Sequence, residues 1–221
     1  MRTSTTSRRR RTAGLVAAAV VGLASVGTAA PASADADRQA PKNRSLAKVL
    51  AADGTKFDKN ARDFDIVEAA VLAVLDAKPE SPVGLLTQGG QRLTAFIPTD
   101  GAFRALAADL TGKTFKGEGR VFGALAEAAG IDVIEAVLLY HVVPGKTLGS
   151  GKVVAAAKEK AELGMASGGT VTVKLNKGKV VLVDADPDAR NPRAVAKLLD
   201  INKGNKQIAH GIDRVLRPID L

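Results

Sequence analysis

The eleven residues Glu135–Gly145 limit what this chain can fold into more than any other stretch. The segment begins with helix-forming residues and then reaches Tyr140-His141, which is the only tyrosine beside one of only two histidines. Val142-Val143 favours an extended backbone because β-branched side chains fit a pleated strand, and Pro144 cannot continue a helix. The sequence therefore predicts that a helix changes directly into a strand or turn at this tyrosine-histidine pair.

The helix that leads into this junction carries one apolar stripe. Ile131, Ile134 and Leu138 recur at the spacing of a single helical face. Asp132 and Glu135, three residues apart, match a capping box, in which two side chains satisfy free backbone N–H groups at a helix start. We therefore predict Asp132 as the N-cap of this helix.

Residues 1–34 have the composition of a secretory signal peptide. An arginine-rich start is followed by the small apolar segment Ala13–Val26, which is too short to span a bilayer stably. Ala32-Ser33-Ala34 matches an A-x-A cleavage site, so the mature chain is expected to begin at Asp35. The sequence thus predicts a secreted protein with no stable membrane anchor after cleavage.

Removal of that segment changes the charge of the chain. The whole sequence carries a formal net charge of +9, and residues 1–34 hold five arginines and no acid, so the mature chain carries +4. The remaining basic residues are scattered along the sequence, whereas nucleic-acid binding requires a clustered basic patch. The chain has no cysteine, which excludes disulfides, thiol catalysis and cysteine-bound metal.

The mature sequence has the length of a single domain. Residues 35–44 are polar and predict a disordered mature N-terminus, and residues 45–221 predict one folded domain. Local patterns predict one short strand, Leu93–Ile97, among several helices in the first half. These helices are Leu46–Ala52 capped by Ser45, Ile66–Ala77, Gly101–Leu110 capped by Thr99, and Val121–Ala129.

Strands are expected to dominate after Gly151. Alternating apolar and polar residues in Val171–Leu175, a turn, and the apolar run Val180–Val183 predict a hairpin. Helices in the first half and strands in the second predict an α+β fold with segregated layers. The remaining strand candidates are Val195–Asp200, Gln207–His210 and Ile212–Leu216.

Three stretches in order resemble the motifs of the fasciclin domain family. Leu93–Phe103 is similar to its first motif, a strand followed by Pro98-Thr99 and a helix with a buried phenylalanine. Leu138–Gly145 is similar to its tyrosine-histidine box, and Ile208–Pro218, which contains His210, is similar to its closing motif. The resemblance covers about residues 45–220.

The resemblance implies a wedge of β-strands packed against a cluster of helices, in a secreted, non-catalytic, monomeric adhesion module without a cofactor. It implies an extracellular or cell-surface protein or matrix component as the partner. In animal members an Asp-Ile dipeptide upstream of the closing motif contacts integrins, and Asp200-Ile201 occupies that position. Tyr140-His141 occupies a second region implicated in adhesion, and Pro98, Thr99 and His210 occupy structural positions.

The sequence departs from the family pattern near the closing motif. Lys206-Gln207 stands where Asn-Gly is usual, and Ala209 and Gly211 flank His210 in place of aliphatic residues. These differences predict a different final turn.

Each residue whose side chain could act in catalysis or bind a metal can also be explained by a structural role. His141 and His210 are expected to bond backbone groups, and Tyr140 to pack in the core. Two histidines without cysteine are too few ligands for structural zinc. The series Asp184, Asp186, Asp188 is similar to the start of a calcium loop, but the match fails at Ala189 and Val195, so a solvated acidic turn balanced by Arg190 and Arg193 is favoured.

The sequence is compatible with three functions. An interaction module is favoured, because the sequence contains no complete catalytic motif. A secreted hydrolase or carbohydrate-acting enzyme would need carboxylates or a Ser-His pair that converge in a cleft. A carrier of a small apolar ligand would need a sizeable apolar pocket.

Overall fold

The computed structural model describes residues 42–52, 54 and 56–220. The predicted signal peptide and residues 35–41 of the predicted disordered segment lie outside these residues. Within them, the helices are α1 (Leu46–Leu50), α2 (Asp65–Ala77), α3 (Asp100–Thr111), α4 (Glu118–Leu139) and α5 (Ser150–Lys158). The strands are β1 (Leu93–Pro98), β2 (Val142–Pro144), β3 (Glu162–Gly164), β4 (Thr170–Asn176), β5 (Lys179–Val183) and β6 (Gln207–Ile212), and Pro82–Thr87 and Ala196–Leu198 form short 3₁₀ helices.

The first sheet has the strand order β2-β1-β6. β1 pairs antiparallel with β2, directly after the tyrosine-histidine junction, and parallel with β6, so that Leu93 lies opposite Gln207. Every residue of β1 and β6 is buried, as expected for strands covered on both faces. The predicted strands in these two regions are therefore confirmed.

The two faces of the first sheet pack against different layers. Because side chains alternate along a strand, Ala95 and Ile97 of β1 point into a core shared with α1 to α4. Phe96 points into a second core, shared with α5 and the second sheet. The predicted α+β class and the packing of strands against helices are confirmed by this arrangement.

The second sheet, of order β3-β4-β5, contains the predicted hairpin. Its turn uses Lys177 and Gly178, which both have positive φ (49° and 76°), as a tight two-residue hairpin requires. Strands do dominate after Gly151, as predicted, but the helix α5, which the sequence did not predict, comes before them. Val153 and Ala157 recur at helical spacing and bury one face of α5, which packs against β4.

The predicted capping box before the tyrosine-histidine junction is not formed. α4 is interrupted at Gly130, whose φ of 73° and ψ of 168° are not helical, so the second part of the helix starts before Asp132. Asp132 and Glu135 instead bind the ammonium group of Lys78, and Glu135 also accepts a hydrogen bond from Ser81. These two acids tie α4 to the end of α2.

The other predicted helix caps are formed to different extents. The Ser45 hydroxyl accepts the Lys48 N–H over 3.3 Å at the start of α1. Thr99 occupies the N-cap position of α3, but its side chain makes no capping hydrogen bond. Its backbone N–H donates to the Ile212 carbonyl over 3.1 Å, so Thr99 links α3 to the end of β6.

The chain around β6 differs from its predicted strands. Ala196–Leu198, inside the predicted strand Val195–Asp200, is a 3₁₀ helix. The predicted strand Ile212–Leu216 is absent, because β6 ends at Ile212 and the Leu216 N–H then bonds a histidine ring. A Cβ at Gly211 would lie 2.6 Å from Leu198 Cβ, so only glycine permits this close approach.

Candidate interaction site

Tyr140 is a core residue at the junction between α4 and β2. Its side chain is buried in the second core, with the residue only 2% exposed. The hydroxyl donates a hydrogen bond to the Thr170 carbonyl over 2.8 Å. Burial, together with the nearby Asp184 carboxylate, raises the pKa of Tyr140. The tyrosine therefore connects the junction to the first residue of β4.

His141 is bonded through both ring nitrogens to backbone groups. Nδ1–H donates to the Val137 carbonyl over 2.6 Å, and Nε2 accepts the Leu216 N–H over 2.9 Å. This pattern fixes the neutral tautomer. Burial lowers the pKa of His141 to about 4, although the Val137 carbonyl opposes the shift. The ring thus joins the junction to the closing segment, as the sequence interpretation expected.

His210 has the same kind of environment on β6. It is 1% exposed, and Nε2–H donates to the Leu148 carbonyl over 2.8 Å. Nδ1 accepts the Asp200 N–H over 3.3 Å. Burial also lowers the pKa of His210. This histidine holds the segment that carries Asp200 against the first sheet.

Asp200 is half-buried and has a backbone conformation that is rare for a residue with a side chain. Its φ is 57°, in the left-handed region that costs L-residues free energy. The carboxylate accepts two hydrogen bonds from Ser150, from the N–H over 2.6 Å and from the hydroxyl over 2.7 Å. Burial would raise the pKa of Asp200, but the Ser150 bonds outweigh it and the pKa is lowered.

Ile201 and Pro98 are held mainly by contacts within the fold. Ile201 exchanges two backbone hydrogen bonds with Ala209 of β6, over 2.9 and 3.0 Å, and its half-buried side chain packs against the first core. Pro98 is buried at the end of β1. Of the four predicted partner-binding residues, Tyr140 and His141 are therefore buried, whereas Asp200 and Ile201 lie at the surface.

We call residues 196–206 the closing loop. Within this loop, Asn202 also has positive φ (66°) and its amide donates to the carbonyls of Arg44 and Gln207. Asn205 Oδ1 accepts the Arg44 N–H over 2.9 Å. The loop is thus fixed at several points, while Lys203 has an 80% exposed side chain.

Basic residues from distant parts of the sequence gather around the closing loop. The backbone of Lys42 bonds Gly204 and Lys206 over 2.9 Å each, within the segment predicted to be disordered. Thr147, next to Lys146, donates its hydroxyl to the Lys206 carbonyl over 2.5 Å. The basic cluster consists of Lys42, Arg44, Lys146, Lys203 and Lys206. No local pattern in the sequence predicts this cluster, because its members come from three separate stretches.

The sequence marks Gln207 as the start of a strand and as a departure from the family pattern, but not as a residue that connects elements. Its buried side-chain oxygen accepts the Leu46 N–H over 2.7 Å. Its amide nitrogen donates to the carbonyls of Leu85 and Gln88 over 2.7 and 3.0 Å. The glutamine therefore joins α1 and the first 3₁₀ helix to β6.

The acidic segment Asp184–Asp188 is not the solvated turn that the sequence suggested. Asp186 is 2% exposed, and one carboxylate oxygen accepts two backbone N–H groups of the same turn. Its other oxygen pairs with Arg217 over 3.1 Å, and Arg217 also pairs with Asp109 over 2.6 Å. Arg217, rather than Arg190 or Arg193, therefore balances this segment.

An apolar cavity opens between α2, α3 and α4. Its volume is about 410 Å³ and every residue that lines it is apolar. Three of them are partly exposed at its mouth: Leu110 at 38%, Val133 at 40% and Ile219 at 57%. This volume lies within the range of small-molecule sites, about 300–1,000 Å³.

The family of this chain follows from a match to the fasciclin domain over residues 80–218. The chain belongs to the fasciclin domain family. Fasciclin domains are typically adhesion or interaction modules of extracellular or surface proteins, and the family is generally non-catalytic.

One protein of known structure to which this chain is similar comes from an insect. The structure of a FAS1 domain pair from the insect cell adhesion molecule Fasciclin I shares 17% identity with this chain, at a TM-score of 0.44. The match covers 65% of this chain and 49% of the other, so this chain spans about half the length of that structure. Among curated proteins, none matches this sequence.

Across residues 42–52, 54 and 56–220, no helix combines the length and the apolar character that a membrane crossing requires.

Proposed function

We propose that this protein is a secreted, non-catalytic, monomeric interaction module that binds an acidic extracellular protein or matrix component through its closing loop. The observation that carries the proposal is the left-handed Asp200 and its two hydrogen bonds to Ser150. Strained backbone persists only where surrounding contacts hold it, and such positions cluster at binding sites. A loop that is already ordered loses less conformational entropy when a partner binds.

The charge around the loop gives the chemistry of the proposed partner. Lys42, Arg44 and Lys146 are exposed on segments that border the loop, and Lys203 is exposed within it. Complementary charge raises association rates and excludes partners of the same sign. An acidic polysaccharide or an acidic protein surface fits this cluster.

The predicted partner-binding residues divide into two roles in this proposal. Asp200 and Ile201 shape the loop that meets the partner. Tyr140 and His141 are buried, so they support binding by holding the fold rather than by touching the partner. Pro98, Thr99 and His210 have the same supporting role.

The test compares partner capture by three forms of the protein. A Lys203→Glu, Lys206→Glu variant reverses two charges of the basic cluster, and Lys177→Glu, Lys179→Glu reverses two in the distant β4–β5 turn. Capture from extracellular and cell-surface fractions should be lost only with the first variant. Added salt should weaken wild-type capture, because exposed charges are screened beyond about 8 Å at 0.15 M.

Three results would each overturn a part of this proposal. Equal capture by both variants would place the binding surface elsewhere, and enzymatic turnover of a captured component would contradict the non-catalytic part. A dimer of the free protein by light scattering would contradict the monomeric part.

The hydrolase alternative gains no support from the histidines. Both rings are buried and bond backbone groups, so neither can reach a substrate. Asp109, Asp186 and Asp188 do line one cleft, but Arg217 holds Asp109 and Asp186 in ion pairs. Burial would raise the pKa of Asp186, but the backbone N–H groups and Arg217 outweigh it and the pKa is lowered, which opposes the proton donation that glycoside hydrolysis needs.

We also propose a second function, the transport of a small apolar ligand, because of the cavity between α2, α3 and α4. Its volume of about 410 Å³ and its fully apolar lining fit a hydrophobic molecule or an acyl chain. Titration with a fluorescent fatty acid should give saturable binding. Val133→Asp, at the mouth, should abolish it, and Leu175→Asp, an exposed leucine on β4, should not.

A further inference from the structure

Three helices start close to one point, and each begins with a buried acid. Asp65, Asp100 and Glu118 are the first residues of α2, α3 and α4, at 7%, 0% and 0% exposure. The Asp58 N–H, in the segment before α2, donates to Glu118 over 2.6 Å. The Asp100 N–H donates to the Asp63 carbonyl over 3.1 Å. Five carboxylates are therefore concentrated where the segment before α2 meets the N-terminal ends of α2, α3 and α4.

The carboxylate oxygens have the spacing of ligands around one ion. One oxygen from each of Asp63, Asp65 and Asp100 lies within 4.8 Å of the others, and Asp58, Asp65 and Glu118 form a second such group. Ca²⁺–oxygen bonds are about 2.4 Å, so two ligands on opposite sides of the ion are about 4.8 Å apart. The first group therefore fits around a single calcium ion.

Two oxygens in the first group have no hydrogen-bond partner. Asp100 Oδ1 accepts the Ile66 N–H over 3.0 Å, but Oδ2 is buried without a partner. Asp63 Oδ1 is buried and unpartnered as well. A buried acceptor without a partner costs about 1–3 kcal/mol, so each of these atoms requires an explanation.

The electrostatics of Asp100 point in the same direction as the geometry. The Asp63 and Asp65 carboxylates lie close to the fully buried Asp100, and like charges held close together away from water repel each other. Arg104 pairs with Glu118 over 2.7 Å, which compensates one carboxylate at the edge of the cluster. The centre of the cluster therefore gains from a positive charge.

We propose that Asp63, Asp65 and Asp100 bind a divalent cation, Ca²⁺, with Asp58 and Glu118 adding negative charge around it. Carboxylate oxygens are the ligands that hard cations prefer. Ca²⁺ fits better than Mg²⁺, because Mg²⁺ demands an octahedral shell and keeps several waters. The ion satisfies the two free oxygens and joins the loop before α2 to the start of α3. This site is independent of the closing loop and of the apolar cavity.

The first test measures binding to the whole protein after treatment with a chelator. Isothermal titration with CaCl₂ should show one saturable site, and added Ca²⁺ should raise the Tm, because an ion that binds only the folded state stabilises it. MgCl₂ should bind more weakly. If neither ion gives saturable heat at millimolar concentration and the Tm does not move, the two carboxyls share a proton instead and the proposal fails.

A pair of variants then locates the ion. Asp63→Asn keeps the shape of a half-buried side chain and removes one ligand charge, so the affinity for Ca²⁺ should fall by about tenfold or more. Asp188→Asn removes an exposed acid from the other acidic segment and should leave the affinity unchanged. Circular dichroism shows whether each variant is folded. Loss of binding with Asp188→Asn alone would place the ion at Asp184–Asp188 and overturn the proposal.

Discussion

The tyrosine-histidine junction and the closing loop both carry residues that sequence reasoning assigned to partner binding, but they differ in physical character. At the junction, Tyr140 and His141 are buried and every polar atom of the His141 ring is bonded to backbone. In the closing loop, Asp200 and Ile201 are half-buried on a strained segment at the surface. A stretch that closely matches a family motif can thus be a buried structural element as readily as a binding surface.

The largest expected effect is that of removing the tyrosine ring. Tyr140→Ala leaves a cavity in the second core and an unpaired Thr170 carbonyl, so the free energy of unfolding should fall by about 3–5 kcal/mol. Denaturant unfolding measures this change. Tyr140→Phe, which removes only the hydroxyl, should cost about 1 kcal/mol. If Tyr140→Ala were stable but unable to capture a partner, Tyr140 would be a contact residue. The junction would then be a binding surface like the closing loop.

The pH dependence of stability tests the buried state of His141. Its pKa is about 4 in the folded state and about 6.5 in the unfolded chain. Between these values only the unfolded chain binds the proton, so the free energy of unfolding should fall by about 3 kcal/mol as the pH drops from 7 to 4. Denaturant unfolding at several pH values measures the slope.

His141→Asn is the control for that slope. It removes the ionisable group while carboxylates and His210 still titrate, so the difference between variant and wild type isolates His141. Equal slopes for the two proteins would show that His141 has the same pKa in the folded and unfolded states, which contradicts a ring that burial keeps neutral.

A smaller effect is expected from Asp200, because its segment is partly exposed. Asp200→Ala loses both Ser150 hydrogen bonds at the start of α5 and puts alanine in a left-handed conformation, so stability should fall by about 1–2 kcal/mol. Asp200→Asn tolerates that conformation and keeps an acceptor, so it should lose less than half as much. Thermal unfolding ranks the two variants. The reverse order would indicate that the charge, rather than the conformation, holds the loop.

The smallest effect on stability is expected at Lys203. Its side chain is 80% exposed and lies 4.0 Å from Asp200, and exposed ion pairs contribute little. Lys203→Ala should change the free energy of unfolding by no more than about 0.5 kcal/mol, yet reduce partner capture. A large loss of stability would show that the closing loop, like the junction, mainly stabilises the fold.

Local signals explain which parts of the fold could be predicted. The β4–β5 hairpin and the change from helix to strand at Tyr140 depend on residues within a few positions of each other, and both were predicted. α5 was missed because Val153-Val154 favours a strand and the nearby glycines disfavour a helix. Its stabilising contacts come from β4 and from Asp200, 50 residues away.

The candidate site could be predicted only in part for the same reason. The sequence identified Asp200-Ile201 through a family motif, but the basic cluster around it joins residues near 42, 146 and 203. The partner of Asp186 is Arg217, 31 residues away, rather than the nearer Arg190 or Arg193. Pairings of this kind depend on the topology, which no local pattern contains.

The parallel pairing of β1 with β6 has a consequence for the rate of folding. Leu93 pairs with a residue 114 positions later, and β6 covers an otherwise open edge of the central strand. The loop that must close before this pairing is long, and such non-local contacts slow folding. Until residues 207–212 reach β1, the buried strand exposes unpaired backbone groups to other chains. The last strand of the sheet therefore controls how long the newly made protein remains prone to aggregate.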